Sequence, residues 1–260
     1  MSSLAAPKLE ITPAHRAHYK EEGYMLLERA IPEEHLQLLR DECTAAVGRE
    51  DAKMDAQGVD VNGIIHRGSR YFISHPSHEA PRLFEFLYSD AMAEICRATI
   101  GPDAWVFWEQ YVVKAADKGH PFAWHQDSGY VFPHQHKPYL TCWIALDDMY
   151  IENGTVYILP FSRTGIRTMV EHKPDPVLND LVGYFGKDPG DPVLVPAGSI
   201  AAFTSVTFHR SGPNVTPKQR RVYVAQYSGE LLLKHDGTPW GRTEPFLKDG
   251  RCIATPPRGN

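Results

Sequence analysis

The sequence predicts an α+β fold: a double-stranded β-helix (jelly roll, cupin-like) core buttressed by N-terminal helices. Three observations lead there. Helical periodicity is confined to the chain before Ala104. After it come seven short strand-like runs: Trp105–Lys114, Trp124–Asp127, Tyr139–Leu146, Thr155–Leu159, Val193–Val195, Ser199–Phe203 and Arg221–Tyr227. Turn residues separate them, as in Glu152-Asn-Gly154, Pro196-Ala-Gly198 and Ser211-Gly-Pro-Asn214. Many short strands with Gly, Pro and Asn turns read as a sandwich or barrel. Helices first and strands later read as α+β. No linker or repeat interrupts the chain, so residues 1–260 are expected to form one domain, with a jelly-roll core at about 104–228.

In chain order, Thr12 caps a helix that starts at Pro13 and stops at Gly23. Tyr24-Met-Leu-Leu27 reads as a strand, and Pro32-Glu-Glu-His35 starts a second helix. Its apolar residues Leu36, Leu39, Cys43 and Val47 recur at steps of three and four. Asp51 to His75 is polar and aperiodic, a long loop or an irregular hairpin. Pro81 to Ile100 is helical again, with Leu83, Leu87, Met92, Ile95 and Cys96 along one face and Gly101-Pro102 as the stop. The Pro- and Gly-rich insert Glu171–Asp191 reads as a surface excursion. Beyond Ser228 the pattern is too polar and broken to place.

Composition excludes several classes. A net charge of −5 and a pI near 6.2 argue against a nucleic-acid binder. No apolar run approaches the roughly 20 residues of a membrane span. The first residues lack a basic flank followed by an apolar run, so no signal peptide and a cytoplasmic location are expected. Cys43, Cys96, Cys142 and Cys252 form no Cys-x-x-Cys pair and read as reduced thiols.

Chemistry concentrates at His125-Gln126-Asp127. If that segment is a strand, residues two apart share a face, with backbones roughly 6–7 Å apart. An imidazole nitrogen and a carboxylate oxygen can then lean over one metal ion. His209, at the end of another strand-like run, is the third ligand candidate. Two histidines and one carboxylate on one face of an octahedron, with open positions opposite, suit non-haem Fe(II) oxygenases. Arg220 opens the last strand. Its always-charged guanidinium can grip a carboxylate with two parallel hydrogen bonds. Arg221 competes for that role if the register slips by one residue.

These segments resemble the phytanoyl-CoA dioxygenase-like (PhyH-like) group of Fe(II)- and 2-oxoglutarate-dependent oxygenases. The resemblance runs from about Tyr19 to Tyr227 and rests on four stretches. They are Gly23-Tyr-Met-Leu-Leu-Glu-Arg-Ala-Ile-Pro32, Trp124-His-Gln-Asp127, Trp143-Ile-Ala-Leu-Asp-Asp148 with Glu152-Asn-Gly154 and Leu159-Pro160, and Phe208-His-Arg-Ser-Gly-Pro-Asn214 with Arg220. It implies Fe(II) on His125, Asp127 and His209, with 2-oxoglutarate and O2 as co-substrates. Arg220 and Ser211 would hold the far carboxylate of 2-oxoglutarate, Trp143 would line its pocket, and Gln110 and Arg70 would supply further contacts. Two departures from the family pattern are Phe161-Ser-Arg163 after Pro160 and Ser199 where an aspartate is frequent. The intact carboxylate at Asp127 favours hydroxylation or related oxidation over halogenation.

The implied activity is oxidation of an unactivated C–H of a small molecule, with 2-oxoglutarate converted to succinate and CO2. Two other readings stand beside it: a small-molecule-binding jelly roll without catalysis, and a zinc hydrolase on the same scaffold. Arg67, Arg70, Arg163, His134 and His136 around the expected mouth point to an anionic or polar substrate. Tyr130, Phe132 and Trp240 suit an alicyclic one equally well.

Overall fold

In the computed structural model, residues 9–116, 120–131, 136–175, 180–241 and 243–254 are described. Phe132 and His134 lie outside them. The first helix, Pro13–Glu22, begins as its sequence dictates: the Thr12 hydroxyl accepts from the His15 N–H, and the His15 ring accepts from the Thr12 N–H. Gly23 ends it at φ 85° and leads into the strand Tyr24–Leu27.

The second helix runs from Glu33 to Gln57, past the expected stop near Val47. Its extension is built of good helix formers with only Glu50 and Met54 buried, so the apolar period fades while helix propensity does not. Arg49 and Lys53 on this turn reach Glu79 at 2.7 and 2.9 Å. The polar stretch that follows is an irregular meander of strands Val61–Asn62, Ile65–His66 and Arg70–Ser74. The next helical region divides into Leu83–Leu87 and Asp90–Thr99, because Ser89 turns out to cap the second piece.

Among the described residues the strands form two large antiparallel sheets and a two-stranded ribbon, Lys173–Pro174 with Leu181–Val182. The major sheet orders Tyr24–Leu27, Ile200–Thr204, Leu140–Ala145, Arg220–Ser228, Ala104–Lys114 and Arg70–Ser74, then the meander. The minor sheet orders Asp191–Pro192, Val156–Leu159, Phe208–Ser211 and Phe122–His125. Successive side chains of a strand point to opposite faces. Accordingly Tyr223 joins Leu39, Phe86 and Ile95 under the helices, while Val222 and Val224 join Trp143, Val156 and Ile158 between the sheets. Leu140–Ala145 is buried at every position because both of its faces are covered.

Three expectations change. The Trp124–Asp127 strand stops at His125, and Asp127 opens a 3₁₀ turn, Asp127–Tyr130. The chain is pulled off the sheet there by Gln126, which donates to the Val206 carbonyl at 2.6 Å, and by Ser128, whose N–H donates to the Ser205 carbonyl at 2.9 Å. Val193–Val195 is extended but contributes no ladder beyond Asp191–Pro192. The insert is more than surface: His172 packs against Gly129 and Gly183 and accepts the Gln126 N–H at 2.9 Å, and Asp180 is buried. The unplaced tail supplies the strand Glu244–Lys248 on the Ala104–Val106 edge, with Phe246 and Leu247 in the core. All four cysteines are free, and only Cys252 is exposed.

Gly154 sits at φ 77°, where a Cβ would lie 2.6 Å from the Gly212 carbonyl oxygen. Gly154→Ala is expected to lower unfolding free energy by about 2 kcal/mol or more through left-handed strain and that clash. Urea denaturation measures it, and a change within experimental error would show the turn to be unstrained.

Candidate active site

His125 and His209 are direct partners across the antiparallel strands Phe122–His125 and Phe208–Ser211. Directly opposed residues carry Cβ atoms roughly 4.5–5.5 Å apart, and here the ring centroids lie 4.1 Å apart. Each imidazole is set by its own backbone: His125 Nδ1 is 2.8 Å from the Ala123 carbonyl, and His209 Nδ1 is 3.1 Å from that of Thr207. A carbonyl only accepts, so Nδ1 carries the proton and Nε2 presents its lone pair. Both Nε2 atoms face Asp127 Oδ1, at 3.7 Å from His125 and 3.5 Å from His209. Burial, and then the neighbouring His209, push the His125 pKa well below the ordinary imidazole value, which keeps it neutral.

The second carboxylate oxygen belongs to the facing sheet. Thr141 Oγ1 donates to Asp127 Oδ2 at 2.5 Å, and Gln226 Nε2 donates to it at 3.0 Å and to Thr141 Oγ1 at 3.0 Å. Oδ1 is thereby turned toward the imidazoles. Ligand atoms of His125, Asp127 and His209 all lie within 4.8 Å of one another, a donor set that fits a first-row divalent metal. The sequence reading missed Thr141 and Gln226. Their signal was parity: Gln226 lies an even number of residues after Arg220, hence on the same face.

The triad opens on a cavity of about 350 Å³ between the sheets. Arg220 forms its other end, 1% exposed, with its guanidinium 5.9 Å from the Trp143 ring. One guanidinium nitrogen donates to the Gly154 carbonyl at 2.8 Å, while the buried Nε has no hydrogen-bond partner among the described residues. Desolvation lowers its pKa to about 10. A buried, under-partnered cation at the cavity end fits a carboxylate ligand. Register settles the competition with Arg221, which points to the other face and forms a two-pronged pair with Asp147 at 2.6 and 3.1 Å.

The remaining expected residues divide. Trp143, Ser211 and Gln110 line the cavity. Ser211 Oγ accepts from Lys114 Nζ at 2.8 Å, and Lys114 also meets the Gly212 carbonyl. Gln110 Oε1 accepts from Trp108 Nε1 at 3.3 Å. Arg70 does not line the cavity: it is buried in the same cross-strand row as Lys114 and Arg220, 3.6 Å from Asp180. Lys114 was not anticipated. Burial, then Arg220 and Arg70, push its pKa well below the usual ammonium value. Ser199 accepts the Arg29 N–H, Phe161 packs on Gly23, and Arg163 pairs with Asp188 and Asp191, so both departures from the family pattern serve packing.

Fold and site define a class: a jelly roll holding two histidines and a carboxylate at one end of an internal cavity and a buried arginine at the other. The comparisons agree. The family model for phytanoyl-CoA dioxygenase (PhyH) matches residues 19–222. The chain is 26% identical over 176 residues to phytanoyl-CoA dioxygenase domain-containing protein 1 of Danio rerio, covering 65% of this chain and 58% of that one. In structure it is similar to the alpha ketoglutarate-dependent carbocyclase SnoK from nogalamycin biosynthesis, with TM-score 0.70, 19% identity and coverage of 92% and 97%. It is also similar to EvdO2 of Micromonospora carbonacea var. aurantiaca in complex with 2-oxoglutarate, with TM-score 0.67, 23% identity and coverage of 90% and 98%. The chain belongs to the phytanoyl-CoA dioxygenase family.

Thr141→Val combined with Gln226→Leu frees Asp127 to rotate. Losing such supporting partners is expected to weaken divalent metal binding roughly 10–100-fold. Anaerobic Co(II) titration, followed in the visible region, reads this. Unchanged affinity would mean that the carboxylate is oriented by other groups.

Proposed function

We propose that the protein is an Fe(II)- and 2-oxoglutarate-dependent dioxygenase that hydroxylates an unactivated C–H of a small molecule. In that reaction one atom of O2 enters succinate as 2-oxoglutarate loses CO2, and the other enters the substrate. The observation that carries this reading is the pairing, across one cavity, of the His125–Asp127–His209 set with a buried Arg220 whose Nε has no partner among the described residues. Residues 1–260 act as one catalytic unit in this proposal.

Iron held by the two Nε2 atoms and Asp127 Oδ1 supplies the redox chemistry that couples O2 to both oxidations. The chain's own part is geometry and exclusion. The Ala123 and Thr207 carbonyls hold the imidazoles, and Thr141 with Gln226 holds the carboxylate, so the ligands need not reorganise. All three stand on one side, leaving the cavity side open to co-substrate and O2. Arg220 grips the far carboxylate of 2-oxoglutarate, Ser211 adds a hydroxyl, and the Trp143 indole walls the site from water. Among the described residues no helix is long and apolar enough to cross a membrane.

Anaerobic addition of Fe(II) and 2-oxoglutarate is expected to produce a weak visible charge-transfer band, absent in Asp127→Ala. That variant is expected to release no succinate with O2, and retained turnover would refute the assignment. Arg220→Lys removes the two-pronged grip and is expected to raise the KM for 2-oxoglutarate roughly 10–100-fold, read from succinate formation. A zinc hydrolase would produce neither band nor succinate.

A further inference from the structure

The cavity has two unlike lobes. Among the described residues, its ionisable groups other than tyrosine are His125, Asp127, His209, Arg210 and Arg220. The first three belong to the metal end, and Arg220 to the co-substrate end. Arg210 is committed to the outer surface: its guanidinium lies 3.9 Å from the Tyr157 ring and donates to the Pro189 carbonyl at 3.1 Å. The lobe beyond the iron ligands is bounded by Phe72, Trp108, Phe122, Tyr130, Tyr139 and Trp240 and, among the described residues, carries no charged side chain.

Of the basic residues expected at the mouth, the three arginines are engaged elsewhere, and His134 lies outside the described residues. Arg67 is held by Asp51, Asp55 and Asp60, Arg163 by Asp188 and Asp191, and Arg70 by Asp180. None of them lines the cavity, nor does His136. Lys234, His75 and His78 line a neighbouring cavity, which shares only Trp108 and Trp240 with this one.

The lobe's polar atoms are few and adjacent. Ser74 and Gln110 are direct cross-strand partners, and both line the cavity. With Gln110 Oε1 engaged by Trp108, its amide N–H groups are the donors on offer. The rings present faces and edges in turn: Phe72 and Phe122 are tilted at 5.5 Å, and Phe122 and Tyr130 are stacked at 6.4 Å. Such walls favour ring systems. They penalise an unpaired carboxylate or phosphate by its full desolvation.

We propose that this lobe binds the substrate as an uncharged ring system, aromatic or alicyclic, whose hydroxyl or carbonyl group meets Gln110 and Ser74. The proposal deepens the dioxygenase reading and rests on it. It takes Gln110 as a substrate contact in place of the co-substrate contact that the family resemblance implies. It also decides between the two substrate classes suggested by sequence, against the anionic one.

The test uses the full chain, anaerobic, with Fe(II) and saturating 2-oxoglutarate so that Arg220 is occupied. Binding of 2-naphthol and of 2-naphthoate, matched in ring and unlike in charge, is followed by quenching of tryptophan fluorescence and by change in the visible band. The expected result is at least tenfold tighter binding of 2-naphthol, weakened several-fold in Trp240→Ala, whose band before any probe is added matches that of the unmodified protein. Because Trp240 is itself a fluorophore, the band and equilibrium dialysis report on that variant. Ser74→Arg places a cation in the lobe and is expected to reverse the preference. Equal or tighter binding of 2-naphthoate by the unmodified protein overturns the proposal. So does failure of both probes while the band forms. Failure of the band itself overturns the dioxygenase reading instead, and the fluorescence comparison still reports on the lobe.

Discussion

Three groups whose lone pairs converge must be held against their mutual repulsion, and the architecture meets that constraint. His125 and His209 face each other across two strands of one sheet, while the remaining oxygen of Asp127 is bonded to two strands of the other. One sheet and the turn that leaves it carry all three groups, and the other sheet orients the carboxylate. The imidazoles are fixed by local bonds to carbonyls two residues back, but the carboxylate is fixed only when the sheets meet. The helices under the major sheet, with Leu39, Phe86 and Ile95 against Tyr223, stiffen the platform that carries Thr141 and Gln226.

The opposite end of the cavity poses the reverse problem. Arg70, Lys114 and Arg220 form a row of buried cations across three neighbouring strands. Buried charges persist where they are paired and hydrogen-bonded. Asp180 answers Arg70, and Ser211 with the Gly212 carbonyl answers Lys114. Arg220 is left with carbonyl oxygens and an aromatic neighbour. The cavity is therefore polarised, with converging lone pairs at one end and a buried guanidinium at the other. The turn at Gly154 links the two demands, since its backbone must pass close to Gly212 while its carbonyl accepts from Arg220.

The aromatic part of the same lining contributes, among the described residues, neither charge nor ligand. Its rings border the side of the triad that opens on the cavity. The insert reinforces that face from outside, because His172 and Gln126 bind each other directly beside the ligand segment.

The sequence by itself determined the order of helices and strands, the Thr12-Pro13 start and Gly23 stop, and the triad and Arg220 as the residues to watch. Each of these is a local pattern or a short motif, carried by neighbours in the chain. It did not determine that the second helix continues to Gln57, that the ligand strand breaks after His125, or that the tail completes an edge of the major sheet. Nor did it reveal Thr141, Gln226 and Lys114, whose residue types are unremarkable until a distant partner faces them. The helix extension rests on propensity that outlasts the apolar period; the others only the tertiary structure decided, because each depends on which strands lie opposite one another. Hydrogen bonds and charge pairs between chain-distant residues leave no periodic trace in the sequence.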